Sequence, residues 1–183
     1  MAEPKAEPED RRVYLRPVNR RDREEFVTVM RRSASLHEPW IHPPITREAF
    51  SRSLKRLERD DHVGLLVIEK GTDAIVGCFN INNIVRGTFL SGSLGYYAAQ
   101  PYAGRGYMQE GLEQVIIWAV EKLGLHRLEA NIQPCNERSI ALVRRCGFKR
   151  EGISPDYLFI AGAWRDHERW TWLDRRHGLR PPW

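Results

Sequence analysis

The sequence predicts an α+β layered domain, a mixed sheet flanked by helices. Three observations lead there. The runs HVGLLVIE and AIVGCFNIN, joined by KGTD, read as an antiparallel hairpin with a four-residue connection. Met108, Leu112, Val115, Ile116, Ala119, Val120 and Leu123 form one apolar stripe at helical steps. A short strand and a further helix follow it, so a strand–turn–helix–strand unit occupies the centre of the chain.

Taken in order, Val13-Tyr14-Leu15-Arg16-Pro17 alternates as a short strand. Residues 21–32 carry Phe26, Val29 and Met30 at helical spacing, and residues 46–58 carry Phe50, Leu54 and Leu57. Between them EPWIHPPI, with three prolines, reads as a loop bearing aromatic and imidazole groups. Strands are expected at 62–69, 74–82 and 91–98. The long helix ends at Gly124, and 127–133 (RLEANIQ) is the next strand, broken by Pro134. Asn136 can cap a helix running to about Arg145. Arg144 and Arg145 suit its last turn, and Gly147 suits its C-terminal cap. Residues 148–173 are strand-like and aromatic.

The chain has 183 residues, 42% hydrophobic and 29% charged, enough for one core in one domain. A flexible N-terminal tail is expected over 1–10, the domain over 11–175 and a C-terminal tail over 176–183. No apolar run approaches the roughly 20 residues of a spanning helix. The first residues lack the apolar centre of a signal peptide, so a cytoplasmic location is expected. The three cysteines, Cys78, Cys135 and Cys146, fit neither a zinc site nor a redox pair and read as free buried thiols. The net charge of +5 gathers partly in arginine pairs at 20–21, 31–32, 144–145 and 175–176, which suit polyanionic partners without choosing among them.

The stretch QPYAGRGYMQE places two glycines and an arginine immediately before the long helix. A glycine turn there leaves N–H groups unpaired at the positive end of the helix dipole, which makes an anion cradle for a phosphate or pyrophosphate. The spacing is neither a Walker loop nor a dinucleotide fingerprint, whose third glycine would fall at Gln109.

The segment YYAAQPYAGRGYMQEGL resembles the acetyl-CoA loop of the GNAT acetyltransferases, Gln/Arg-x-x-Gly-x-Gly/Ala. Here the pattern falls on Ala103-Gly104-Arg105-Gly106-Tyr107-Met108, with Ala103 for the polar residue and Met108 for the small one. Gly-x-Gly-Tyr-Met is similar to the RimJ/RimL protein N-terminal acetyltransferases. Asn136-Glu137-Arg138-Ser139 with Gly147-Phe148, and Tyr157-Leu158-Phe159-Ile160 with Trp164-Arg165-Asp166-His167, resemble two further motifs of that group. Together the three motifs span roughly the C-terminal half of the chain.

The resemblance implies a GNAT fold, its mostly antiparallel sheet splayed between two central strands. It implies acetyl-CoA as acetyl donor, no metal and no acyl-enzyme. Pantetheine would lie in the splay along Tyr96-Tyr97-Ala98, with amides of Gly104, Arg105, Gly106, Tyr107, Met108 and Gln109 on the pyrophosphate. Asn136 would bind cofactor or fix a water, and an N–H near Tyr97 would polarise the acetyl carbonyl. The group's acid tyrosine falls at Val143, so Ser139 is the substitute acid. Glu129 and Asn131, two apart on one strand face, are the candidate amine-side residues, and asparagine is no base. Glu110 suits the helix dipole, and His167 is either a base or a structural hydrogen bonder.

An α-amine of pKa about 7.7–8.0 is roughly one-tenth neutral at pH 7, against roughly 0.04% for lysine. A site with a weak base therefore suits a protein N-terminus, and the resemblance implies a ribosomal protein starting with Ala or Ser. A small amine (antibiotic, polyamine or amino acid) and a non-catalytic acetyl-CoA-binding module remain open. Trp40, His42, Tyr157 and Trp164 are candidate acceptor-pocket residues. The EPWIHPPI loop should separate an open peptide groove from a closed pocket. A monomer or homodimer is expected, without membrane contact, and with nucleic acid met only indirectly through a ribosomal partner.

Overall fold

The computed structural model describes residues 11–176. The expected tails, 1–10 and all but the first residue of 176–183, lie outside the described residues. In chain order the elements are β1 (Val13–Pro17), α1 (Arg23–Arg32), α2 (Ala34–His37), α3 (Arg47–Arg56), β2 (Val63–Glu69), β3 (Ile75–Val85), β4 (Ser91–Ala98), α4 (Tyr107–Leu123), β5 (Arg127–Ile132), α5 (Glu137–Arg145), β6 (Lys149–Ile160) and β7 (Ala163–Leu173). No described helix is long and apolar enough to cross a membrane.

The strands form one seven-stranded sheet in the order β1-β2-β3-β4-β5-β7-β6. Every neighbouring pair is antiparallel except β4 with β5. Strand alternation divides the core into two layers. Leu65, Val67, Phe79, Ile81 and Leu94 pack with Leu112, Val115 and Ala119 of α4 and Val143 of α5. Leu66, Ile68 and Cys78 face Phe26 and Met30 of α1 and Phe50 of α3. α4 approaches the sheet closely at Gly111, where a Cβ would stand 2.8 Å from Val67 Cγ2.

The helix ends follow the local chemistry. Thr46 Oγ1 accepts from Ala49 N–H at 3.1 Å and Asn136 Oδ1 from Ser139 N–H at 3.2 Å. Gly147, at φ +85°, closes α5 while Gly147 N–H bonds Arg144 O and Phe148 N–H bonds Val143 O. Two departures from the sequence reading concern length and order. β3 runs to Val85, three residues beyond 82. Residues 34–37, left unassigned between the first helix and the EPWIHPPI loop, form the single-turn helix α2, and the loop itself opens on a cis Glu38–Pro39 bond.

The joint between β4 and β5 positions everything that follows. They pair only over Ser91–Leu94 and Arg127–Ala130. Beyond that point β4 stays on β3 through Ala98, and β5 stays on β7 through Ile132. The sheet opens into a V.

Candidate active site

The backbone groups that the V frees can be read from the register. Ala99 N–H donates to Val76 O at 2.8 Å. In an antiparallel ladder alternate residues point to alternate sides, so Tyr97 aims its peptide groups at β3 while Tyr96 and Ala98 aim theirs into the gap. The N–H expected near Tyr97 is therefore that of Tyr96 or Ala98. His37 Nε2 reaches Ala98 O at 3.0 Å from the α1–α3 side. The Tyr97 ring faces that side as well, packed edge-on to Phe26 and His37.

The gap widens into a cleft of about 440 Å³, open mouth included. Leu94, Gly95, Tyr96, Ala130, Asn131, Ile132, Asn136, Ser139, His167 and the loop residues Trp40 and Ile41 line it. Its two sides differ. Tyr96 belongs with the α4/α5 layer, and its hydroxyl hydrogen-bonds Ser139 Oγ. Burial pushes the Tyr96 phenol up to about 12. The pair therefore enters the pH range of life fully protonated. Val143, at the position of the absent tyrosine, is wholly buried in the core.

At the open end of the V, Gly104 (φ +73°) and Gly106 (φ +84°) turn the chain into α4. Arg105 N–H and Gln109 N–H are spent on Tyr102 O and Gly106 O. Gly104, Gly106, Tyr107 and Met108 keep N–H groups with no acceptor among the described residues. These four amides at the N-terminus of a 17-residue helix are a fitting seat for a diphosphate.

Side chains brace the turn from below. Glu69 accepts from Thr72 Oγ1 at 2.6 Å and from the hydroxyls of Tyr102 and Tyr107, both at 2.9 Å. Those bonds, from Thr72 first, hold its carboxyl below the usual carboxylate range. The Arg12 guanidinium lies 4.2 Å above the Tyr107 ring and donates to Arg105 O at 3.1 Å. Glu110 binds Arg12 through N–H (3.0 Å) and Nε (2.6 Å), so it serves as a tie to β1 besides sitting at the helix dipole.

The other sequence candidates are dispersed. Glu129 sits at the level of paired Ser93 and is held by Arg127 Nε at 2.6 Å, away from the cleft lining. Asn131 lines the cleft and its Oδ1 is buried without a hydrogen-bond partner among the described residues. Asn136 caps α5 at the cleft wall. Of the four pocket candidates Trp40 lines the cleft. Tyr157 packs its ring edge on His167, Trp164 is exposed and pairs with Phe159, and His42 is exposed. Cys78 and Cys146 are buried, and burial lifts both thiols to about 12. Cys135 is exposed, because it stands in the turn between β5 and α5. The Tyr96–Ser139 and His37–Ala98 contacts join residues 43 and 61 apart, and no local pattern announces them.

The described residues thus bring together a parted sheet, a glycine-framed helix N-terminus and a proton-bearing hydroxyl pair. The match to known proteins is specific. The family model described as Acetyltransferase (GNAT) domain covers residues 12–149, and the chain belongs to this family.

The [ribosomal protein uS5]-alanine N-acetyltransferase of Escherichia coli is 44% identical over 93 residues, 51% of this chain and 48% of that protein. The chain thus spans about half the length of that relative. Among solved structures, Mycobacterium smegmatis RimJ in complex with CoA-disulfide superposes with a TM-score of 0.81 at 26% identity, covering 88% of this chain and 82% of that one. The ribosomal-protein-S5-alanine acetyltransferase of Vibrio fischeri gives 0.80 at 26% identity, covering 90% and 94%.

Proposed function

We propose that the protein transfers acetyl from acetyl-CoA to the N-terminal α-amine of a protein, the acceptor being a ribosomal protein that begins with Ala or Ser. The donor supplies an activated thioester. The free amides of Gly104, Gly106, Tyr107 and Met108 hold its diphosphate, and the gap-facing peptide groups of Tyr96 and Ala98 pair with the pantetheine amides as a neighbouring strand would. A gap-facing N–H steadies the negative charge that develops on the carbonyl oxygen. Ser139, backed by the Tyr96 hydroxyl, delivers a proton to the departing thiolate.

The observation that favours a protein terminus is the makeup of the cleft. Among its described lining residues there is no carboxylate; Trp40, Ile41, Asn131, Gln133 and His167 are all uncharged or imidazole. A polyamine carries further ammonium charges that need acidic partners when desolvated. A peptide end carries one amine and neutral amides. The names of the two ribosomal-protein-alanine acetyltransferases above agree with this reading, while a relative at 24% identity is a spermidine N(1)-acetyltransferase of Vibrio cholerae.

Mass spectrometry after incubation with acetyl-CoA tests it, using peptides that start with Ala, Ser, Met and Lys beside spermidine and an aminoglycoside. The Ala and Ser peptides should gain one acetyl at the α-amine and turn over fastest. Faster turnover of spermidine would overturn the assignment.

A further inference from the structure

Two polar atoms on the acceptor side of the cleft are unspent. Asn131 Oδ1 is buried with no hydrogen-bond partner among the described residues. His167 is only 2% exposed, and its Nδ1 lies 2.8 Å from Arg165 O. A carbonyl can only accept, so in the neutral ring Nδ1 carries the hydrogen and Nε2 carries the lone pair. No hydrogen bond among the described residues engages Nε2, and both residues line the cleft.

The sheet sets them side by side. Asn131 pairs with Arg169 across β5 and β7. His167 is two residues along β7 on the same face, which makes it a diagonal neighbour of Asn131 at about 7–8 Å. A single nitrogen between them can make one hydrogen bond to each. The Tyr157 ring of β6 packs against the His167 ring at 62°, with centroids 5.8 Å apart.

We propose that Asn131 and His167 form a receptor for the acceptor amine, with His167 as a catalytic base. This deepens the acetyl-transfer reading and rests on it. One N–H of the incoming ammonium donates to Asn131 Oδ1. A second proton passes to His167 Nε2, which frees the nitrogen lone pair. The N–C bond forms as the C–S bond breaks, the thiolate takes its proton from Ser139, and Ser139 regains one from the acylated nitrogen, which gives up its second proton. His167 then releases its proton to water, so ammonium and thioester become amide, thiol and one free proton.

The test has two arms. Nitrogen-15 NMR of histidine-labelled protein at neutral pH should show His167 protonated at Nδ1 and bare at Nε2; the opposite tautomer would overturn the proposal whatever the enzyme acetylates. In kinetics with the best amine of the panel, His167→Gln should lose about 10²-fold or more in kcat/KM. It should also lose the acid limb of the pH profile, while calorimetry shows acetyl-CoA binding unchanged. The titratable or charged groups facing this ring are Tyr157 on β6, Arg169 on β7 and Tyr96 across the cleft, none of which the substitution removes.

Asn131→Ala should raise the acceptor KM and leave kcat nearly intact. Retained kcat/KM in His167→Gln would remove it from catalysis. If the wild type prefers a polyamine, the proposed acceptor is wrong, yet the receptor stands provided these variants lose that activity too.

Discussion

β2 and β6 belong to the same sheet and could hardly be more different. Five of the seven residues of β2 are buried; none of the twelve of β6 is. The first half of the sheet, β1 to β4, is covered by α4 on one face and by α1 and α3 on the other. The second half, β5, β7 and β6, keeps Leu128, Ala130, Ile132 and Trp170 in the α4/α5 core but thins to a wing toward the β6–β7 tip, where Phe159 and Trp164 stand out at 62% and 60% exposure. Four residue pairs between β4 and β5 join the halves. The difference teaches where rigidity is spent. The first half, the proposed donor platform, is fixed by apolar burial, while the tip of the wing proposed to meet the acceptor is held by its backbone ladder and a few polar ties.

The comparison predicts unequal costs for truncation. Phe79 is 0% exposed in the platform, and Phe79→Ala should cost about 3–5 kcal/mol. Trp164→Ala, at the wing tip, should stay within about 0.5 kcal/mol of wild type. Urea unfolding of both variants measures this. Similar losses would mean that the wing is packed as tightly as the platform.

At the seam, the Tyr96–Ser139 pair draws one hydroxyl from each side of the V. Ser139→Ala and Tyr96→Phe should each lower kcat about 10²-fold in a thiol-release assay. Because they act as a unit, the double variant should lose little more than either single one. Independent, multiplicative losses would show that only one of them carries the proton.

On the platform alone, Gly106→Val forces a side chain to φ +84°, with its Cβ 3.2 Å from Arg12 Nη2. The strain of about 1–2 kcal/mol corresponds to roughly a tenfold rise in KM for acetyl-CoA. Acceptor KM and saturated kcat should be nearly unchanged, which separates donor platform from acceptor wing.

The same contrast explains what the sequence made legible. Hydrophobic runs such as GLLVI and the stripe from Met108 to Leu123 announced platform elements nearly residue for residue, because burial there follows strand and helix period. The glycine turn was legible because a backbone site needs glycine whatever surrounds it. The parting of β4 from β5 followed only from family resemblance, since no alternation of residues says where two strands stop pairing. His167 was visible as a histidine, but the direction of its ring depends on a carbonyl two residues away and on Tyr157 across the hairpin. Glu129 looked as free as Asn131 until Arg127 was placed beside it. Side-chain sites assembled from distant strands carry no local signature.

Arg127 also carries the smallest predicted effect, and the one that tests how the wing is held. Its guanidinium ties β5 to β6 through Glu151 at 3.0 Å and to β7 through Thr171 Oγ1 at 2.9 Å. Arg127 holds the Glu151 carboxyl down at about 2, whereas an unfolded glutamate titrates near about 4.3. A lowered folded-state value means that the unfolded chain takes up the proton first. The tie thus contributes fully above about pH 5 and is lost as the pH falls toward 2. Glu151 is about one-third exposed, so solvent screening keeps the contribution modest. Glu151→Gln should therefore unfold at slightly lower urea than wild type at pH 7, with the gap closing between about pH 5 and pH 2. A gap that persists at pH 2 would assign the wing's cohesion to packing around Trp170 and the strand ladder, leaving the ion pair as ornament on a surface already held.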